Sequence, residues 1–337
     1  GRSRVIGRWV LLNSNLSNTF DRYGHGTHIA GIIGGNACTR SISDPLFCRY
    51  IGIAPEVNLI SVKVANDEGV SYVSDVVAGI EWVIENRQSL NIRVMNLSMV
   101  SSVAESYRTS VLAAAVERAW FNGILVVVSA GNGGPNTMRF PPANDPFVVT
   151  VGASDTMGTF SRTDDRLAPW SSYGVTQDGH IKPDVVAPGR AMVGPLSFSS
   201  AVLARSDRIV DNQYLRLSGS SMAAPVVAGV AALAFQARPE WTNDQVKWLL
   251  MHTAFRLGGA SPLPGQGAGL VDAAAVVQYS GTPGFANQGL IRSNLLTTAD
   301  GSNVYSSANW STANWSTANW STANWSTMNW STAIVDE

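Results

Sequence analysis

Three short segments, far apart in the chain, together hold residue types that can carry out nucleophilic catalysis. They are Gly24–Gly31 (GHGTHIAG), Ser129–Pro135 (SAGNGGP) and Ser218–Pro225 (SGSSMAAP). Read as chemistry, they offer a histidine base, an amide donor after a buried strand, and a serine at the start of a helix. A serine hydroxyl becomes a useful nucleophile only beside a base. The oxyanion formed by its attack needs fixed hydrogen-bond donors, which a side-chain amide and a helix-terminal N–H can supply.

Each segment taken alone also has a purely structural explanation. Ser221 could cap a helix, Asn132 could stabilise a turn, and His28 is expected to be a buried structural ring on the helix that begins near His25. Two histidines at this spacing could hold a metal, but no third ligand cluster is visible. The combination of the three segments, in the order His, Asn, Ser, is therefore the evidence that favours catalysis.

Strand-like apolar runs alternate with helical patterns over the first 279 residues. The patterns predict strands at 57–64, 94–99, 124–128 and 147–151, and helices at 72–85, 111–120, 221–235 and 243–253. Because the strand runs are apolar on both faces, we expect an α/β fold with a mostly parallel sheet and helices on both faces. In such sheets, functional sites form at the carboxyl ends of the strands.

Composition excludes several classes of protein. The chain has 337 residues, which is enough for a large core without a metal or disulfide scaffold. Its formal net charge of -1 argues against a nucleic-acid partner. The longest nearly unbroken apolar run, at 223–235, has 13 residues, and that is too short to span a bilayer. Two cysteines exclude a disulfide-dense scaffold and a four-cysteine zinc site.

The regular pattern ends near Tyr279. We divide the chain into a domain (1–279), a linker rich in Gly, Ser, Thr and Asn (280–303), and a Trp-rich tail (304–337). The tail repeats a pentad five times from Ala308 to Thr332. An odd period places successive Trp residues on opposite faces of a flat strand, and five pentads are too few for a free-standing solenoid. Three alternatives stay open: a flexible tail, a tail docked on the domain, and a binding or assembly element.

With these motifs the chain resembles the subtilisin-like serine peptidases, the subtilase family, over about residues 3–279. Further matching segments are Ile53-Ala54-Pro55, Lys182–Gly189 and Gly267–Ala273. The resemblance implies that His25 is the general base, Ser221 the nucleophile, and Asn132 an oxyanion donor beside the backbone N–H of Ser221. It also implies a subtilisin-like fold, polypeptide substrates, and a secreted or cell-surface protein. The pentad tail looks like those of some bacterial secreted members.

The resemblance extends to substrate-binding residues. It implies that Asp21 shapes the site for the residue preceding P1, and that two walls border the cleft: Ser98, Met99 and Val100 on one side, and Ser129, Ala130 and Gly131 on the other. Val100 stands where the family commonly has glycine, so we expect crowding of the substrate-binding edge. No cofactor is required for the chemistry. The family often carries structural calcium, but the sequence places no ligand set for it. In an exported protein, Cys38 and Cys48 either pair or stay free.

One member of the family's triad is missing from the pattern. The triad aspartate of subtilases lies in an Asp-Ser/Thr-Gly motif at the end of a strand upstream of the histidine, and no such motif precedes His25 here. We expect a truncation, with any signal, a propeptide, the first strand and the aspartate lying before Gly1. Residues 1–337 alone are then expected to be inactive. The alternative is a non-catalytic surface or adhesion protein that uses the subtilase scaffold.

Overall fold

The computed structural model describes residues 4–10, 19–198, 205–259 and 263–296, and the backbone of 327–329. Six α-helices lie in these ranges: α1 (His25–Gly34), α2 (Val73–Asn86), α3 (Val111–Phe121), α4 (Ser220–Ala237), α5 (Asn243–His252) and α6 (Ala273–Gln278). The strands there are β1 (Val5–Val10), β2 (Leu59–Lys63), β3 (Val70–Tyr72), β4 (Val94–Leu97), β5 (Leu125–Ser129), β6 (Val149–Asp155), β7 (Arg166–Leu167), β8 (Gly174–Val175), β9 (Ile181–Lys182), β10 (Val185–Pro188), β11 (Met192–Pro195), β12 (Ile209–Val210), β13 (Tyr214–Leu217) and β14 (Thr327–Asn329).

The central sheet has the strand order β10-β6-β5-β4, and these four strands run parallel. Every residue of β5 is buried, and alternate side chains enter two separate cores. Leu125 and Val127 pack in the core that contains α4, whereas Val126 and Val128 pack in the core that contains α2 and α3. A strand that is apolar on both faces therefore has helices on both sides. The predicted α/β fold is confirmed.

The parallel sheet is interrupted beside β4. Strands β1 and β2 pair with each other in parallel, Val5 opposite Leu59 and Val10 opposite Lys63, as a separate two-stranded sheet. Val62 of β2 nevertheless packs against the same core as Leu97 of β4. Among the described residues, no backbone ladder joins β2 to β4. Among the described strands, β4 is therefore the last strand of the central sheet on this side.

The described part of the predicted linker, residues 280–296, packs on the domain. Asn287 donates its N–H to Asp244 at 3.0 Å and its side-chain amide to the Phe147 carbonyl oxygen at 2.8 Å. Further along, the buried Ser293 donates its N–H to the Glu117 carboxylate at 2.9 Å. The wider division into domain, linker and tail stays a prediction.

Part of the Trp-rich tail forms a strand. β14 pairs antiparallel with β3, with Thr327 opposite Tyr72 and Asn329 opposite Val70. Within the described residues this pairing fits the docked alternative. The other pentads lie outside the described residues, and the role predicted for the tail stays a prediction.

Two smaller features bear on the environment of the protein. Cys38 and Cys48 form a disulfide, which settles the two alternatives left open for them. Among the described helices, α4 alone is long and apolar enough to cross a membrane, and 78% of its apolar window is buried inside the domain. That degree of burial is what a core helix shows.

Candidate active site

Ser221 is the second residue of α4, at the end of the sheet where β4 and β5 finish. Gly219 precedes the helix with φ 155°, a conformation that favours glycine. The Ser221 side chain is fully buried, and its hydroxyl donates to the Ser98 carbonyl oxygen at 3.1 Å. Ser98 directly follows β4. The candidate nucleophile therefore contacts the carboxyl end of a central strand, as expected for an α/β site.

Asn132 follows β5 in the chain, and its side chain lies against the start of α4. Its side-chain oxygen accepts the Ser220 N–H at 2.9 Å, and the Gly131 N–H donates to the Ser220 hydroxyl at 3.0 Å. Two hydrogen bonds thus tie the segment after β5 to the first residue of α4. The structure brings Asn132 beside Ser221, although their sequence positions are about ninety residues apart.

His25 is the first residue of α1 and is 2% exposed. Its pKa is lowered to about 3, chiefly because burial removes water from the charged form, and secondarily because His28 lies close. The imidazole is therefore neutral at neutral pH, as a general base must be. Ile29 of α1 packs in one core with Met222 of α4, so the helices that begin at the candidate base and nucleophile pack against each other.

The nucleophile–base hydrogen bond itself stays a prediction. In this structure the hydroxyl hydrogen of Ser221 is directed to Ser98. A rotation about the Cα–Cβ bond of Ser221 would redirect the hydroxyl. We expect this rotation to bring the hydroxyl within hydrogen-bond distance of His25.

Asp21 has a role that sequence analysis missed. Its carboxylate accepts the N–H of Gly24 at 2.7 Å and the N–H of Thr27 at 2.7 Å. The N-cap residue, Gly24, has no side chain to satisfy these groups, so Asp21 caps the helix that carries His25. An acidic residue just before a helix start was the available signal. The substrate-binding role implied for Asp21 stays a prediction.

His28 occupies the structural position expected of it. It is fully buried, and its Nε2 lies 3.2 Å from the Met192 carbonyl oxygen and 3.1 Å from the Leu215 carbonyl oxygen. Because both partners only accept, Nε2 carries the proton. Burial, the largest effect, lowers the pKa of His28 to about 4.

This burial predicts acid sensitivity. The unfolded state takes up a proton on His28 near pH 6.5 but the folded state only near pH 4, so stability is lost as the pH falls through that window. The loss amounts to at most about 3 kcal/mol. We expect His28→Gln, which cannot be protonated, to flatten the dependence of the unfolding free energy on pH, measured by denaturant titration. The same change at the exposed His252 is the control. If the unfolding free energy changed equally steeply with pH in both variants, the acid sensitivity could not be assigned to His28.

The two walls implied for the substrate cleft approach each other. A methyl group on Gly131 would lie 3.9 Å from Cγ2 of Val100. Ser98, Met99, Ser129 and Ala130 are buried beside them. The structure therefore brings both segments to one place, while their contact with substrate stays a prediction. Among the described residues no group of three or more His, Cys, Asp or Glu could hold a metal ion, so the calcium suggested by the resemblance is not assigned to any residues.

Together these features define a class: an α/β protein with a parallel sheet, in which a serine, an amide and a histidine lie on elements that pack together. Residues 12–269 match the model of the subtilase family, peptidase S8. The chain therefore belongs to the subtilase family.

Similar proteins include serine protease AprX of Bacillus subtilis, which is 39% identical over 73% of this chain and 56% of its own length. Alkaline elastase YaB of Bacillus sp. is 34% identical over 77% of this chain and 57% of its own length. Subtilisin DY of Bacillus licheniformis is 32% identical over 82% of this chain and 85% of its own length. The chain thus spans little more than half the length of the first two relatives.

Proposed function

We propose that this protein is a serine endopeptidase that hydrolyses peptide bonds of polypeptides through an acyl-enzyme. The observation that carries the proposal is the hydrogen bond between Asn132 and Ser220, the neighbour of Ser221, at the start of α4, against the helix that begins with His25. Membership of the subtilase family and relatives named as serine protease and elastase support it.

In the proposed mechanism the Ser221 hydroxyl turns from Ser98 to His25 and attacks the substrate carbonyl carbon as its proton passes to the imidazole. The imidazolium then gives this proton to the leaving amine, and the acyl-enzyme forms. A water molecule, deprotonated by the same histidine, hydrolyses the acyl-enzyme and releases the second product. The low pKa of His25 keeps the ring neutral between these steps.

Asn132 is proposed to stabilise the oxyanion. Because its side-chain oxygen accepts the Ser220 N–H at 2.9 Å, the amide is held in one orientation and its NH2 end is the one offered to substrate. The backbone N–H of Ser221 is the proposed second donor. Donors fixed before the reaction stabilise developing charge without a reorganisation cost.

We therefore expect Asn132→Ala to lower kcat by about 10²–10³-fold with little change in KM, because the lost donor acts on the transition state. Steady-state hydrolysis of a chromogenic peptide measures both constants. Asn86→Ala is the control, because that amide binds the Trp82 carbonyl oxygen at 2.8 Å near the end of α2. An unchanged kcat in Asn132→Ala would refute the oxyanion role.

We also propose that the carboxylate partner of His25 is carried by a strand that fits between β2 and β4. The interruption of the parallel sheet supports this, because β2 and β4 flank one core without a ladder between them in the described part of the chain. In residues 1–337 alone, activity is then expected to be low. A parallel strand in that place would end at the same edge of the sheet as Ser98.

The proposed function also includes a substrate-binding cleft and a location outside the cytoplasm. An extended polypeptide is proposed to lie between the walls formed by Ser98–Val100 and Ser129–Gly131, with Val100 narrowing the approach. The Cys38–Cys48 disulfide supports a secreted or cell-surface location, because disulfides persist in oxidising compartments.

A serine-directed fluorophosphonate tests the proposal directly. Mass spectrometry should place the label on Ser221, with loss of labelling after heat denaturation. The alternative function, a non-catalytic surface or adhesion protein with Trp-rich repeats, would be favoured by two results together. The protein would not react with the fluorophosphonate, and no strand carrying a carboxylate would be found between β2 and β4.

A further inference from the structure

Helix α4 contains a proline at a position that affects the nucleophile. Pro225 lies inside the helix. In an α-helix the N–H of each residue binds the carbonyl oxygen four residues earlier, and proline has no N–H to give. The carbonyl that loses its helical partner is therefore the carbonyl of Ser221 itself.

Ser98 supplies the missing donor. Its hydroxyl donates to the Ser221 carbonyl oxygen at 2.9 Å, and both residues are buried. In return, the Ser221 hydroxyl donates to the Ser98 carbonyl oxygen at 3.1 Å. A buried carbonyl must be paired somewhere, and here the pairing joins the first turn of α4 to the end of β4.

Asn96 sets the direction of this pairing. Its side-chain amide donates to the Ser98 hydroxyl oxygen at 2.9 Å. Because that oxygen accepts from Asn96, its own hydrogen is directed to Ser221. The three residues form a relay from β4 to the nucleophile.

We propose that Ser98 is a positioning residue for Ser221, with Asn96 behind it. Its hydroxyl replaces the helical hydrogen bond that Pro225 removes, and its carbonyl holds the nucleophilic hydroxyl between turnovers. The catalytic consequence rests on the proposed function, whereas the relay itself does not. Ser98 then acts on the nucleophile as well as bordering the cleft.

A double-mutant cycle in the natural protein tests the relay. Pro225→Ala restores an N–H opposite the Ser221 carbonyl, so it should make the Ser98 hydroxyl dispensable. We expect Ser98→Ala to speed amide exchange in the first turns of α4 by about fivefold to tenfold when Pro225 is present, and by less than about twofold in the Pro225→Ala background. Equal effects in the two backgrounds would overturn the relay.

Kinetics test the positioning role. Ser98→Ala is expected to lower kcat about tenfold with KM nearly unchanged, because the binding walls stay in place while the Ser221 carbonyl loses the hydroxyl donor that fixes the first turn of α4. Ser98→Thr keeps the hydroxyl and should restore kcat. The control is Ser101→Ala, which removes a buried hydroxyl that accepts the Val103 N–H at 3.1 Å.

Two results would contradict positioning: a change in KM alone, or equal impairment by alanine and threonine at Ser98. A wild-type protein that neither hydrolyses peptides nor reacts with a fluorophosphonate would remove the proposed function. In that case the exchange cycle still supports or overturns the relay by itself.

Discussion

Ser221→Ala is expected to abolish peptide hydrolysis, with kcat falling about 10⁶-fold when the strand proposed between β2 and β4 is present. This magnitude is the one known for the equivalent change in subtilisin, itself a member of the family. Without the hydroxyl no acyl-enzyme forms, and only binding and oxyanion stabilisation are left. Because serine and histidine act as a unit, adding His25→Ala to Ser221→Ala should lower kcat only slightly further.

The measurement is single-turnover and steady-state hydrolysis, together with fluorophosphonate labelling. The control is Ser110→Ala, which removes the hydroxyl that caps α3 by accepting the Ala113 N–H at 3.3 Å. This control should lose about 1 kcal/mol of stability and retain kcat. Substantial turnover by Ser221→Ala would show that another nucleophile performs the reaction.

Supplying the strand proposed between β2 and β4 is expected to have the second-largest effect on kcat. Residues 1–337 alone should be nearly inactive. A strand segment ending in Asp-Ser/Thr-Gly, fused to the chain or added during refolding, should raise kcat by about 10⁴-fold, the magnitude known for a triad carboxylate. The carboxylate orients the imidazole of His25 and stabilises its protonated form during the reaction.

The same experiment separates folding from catalysis. Any backbone group of β4 left without a partner beside β2 would cost about 1–3 kcal/mol when buried, against a domain stability of about 5–15 kcal/mol. Open strand edges also promote aggregation. A segment with alanine in place of the aspartate should therefore restore solubility and cooperative unfolding but leave activity low. Full activity and cooperative unfolding of residues 1–337 alone would show that the placement of the triad is wrong.

The sequence by itself was sufficient for the fold class and for naming the residues that are proposed to carry the chemistry. The pattern over 243–253 predicted a helix that the structure places at Asn243–His252, and the run at 124–128 predicted the strand Leu125–Ser129. Such elements can be predicted because hydrophobic periodicity and capping residues act locally. The expectation that His28 is structural was also confirmed, by its two carbonyl partners.

Only the tertiary structure decided which distant groups satisfy one another. The proline in α4 is visible in the sequence, and it shows that the Ser221 carbonyl lacks a helical donor. The replacement donor, Ser98, lies 123 positions away, and no local pattern connects the two. The docking of residues 280–296 through Asn287 and Ser293 was hidden for the same reason. Buried polar groups must be paired, but which partner each one finds depends on how the sheet and helices pack, and that is settled only when the chain has folded.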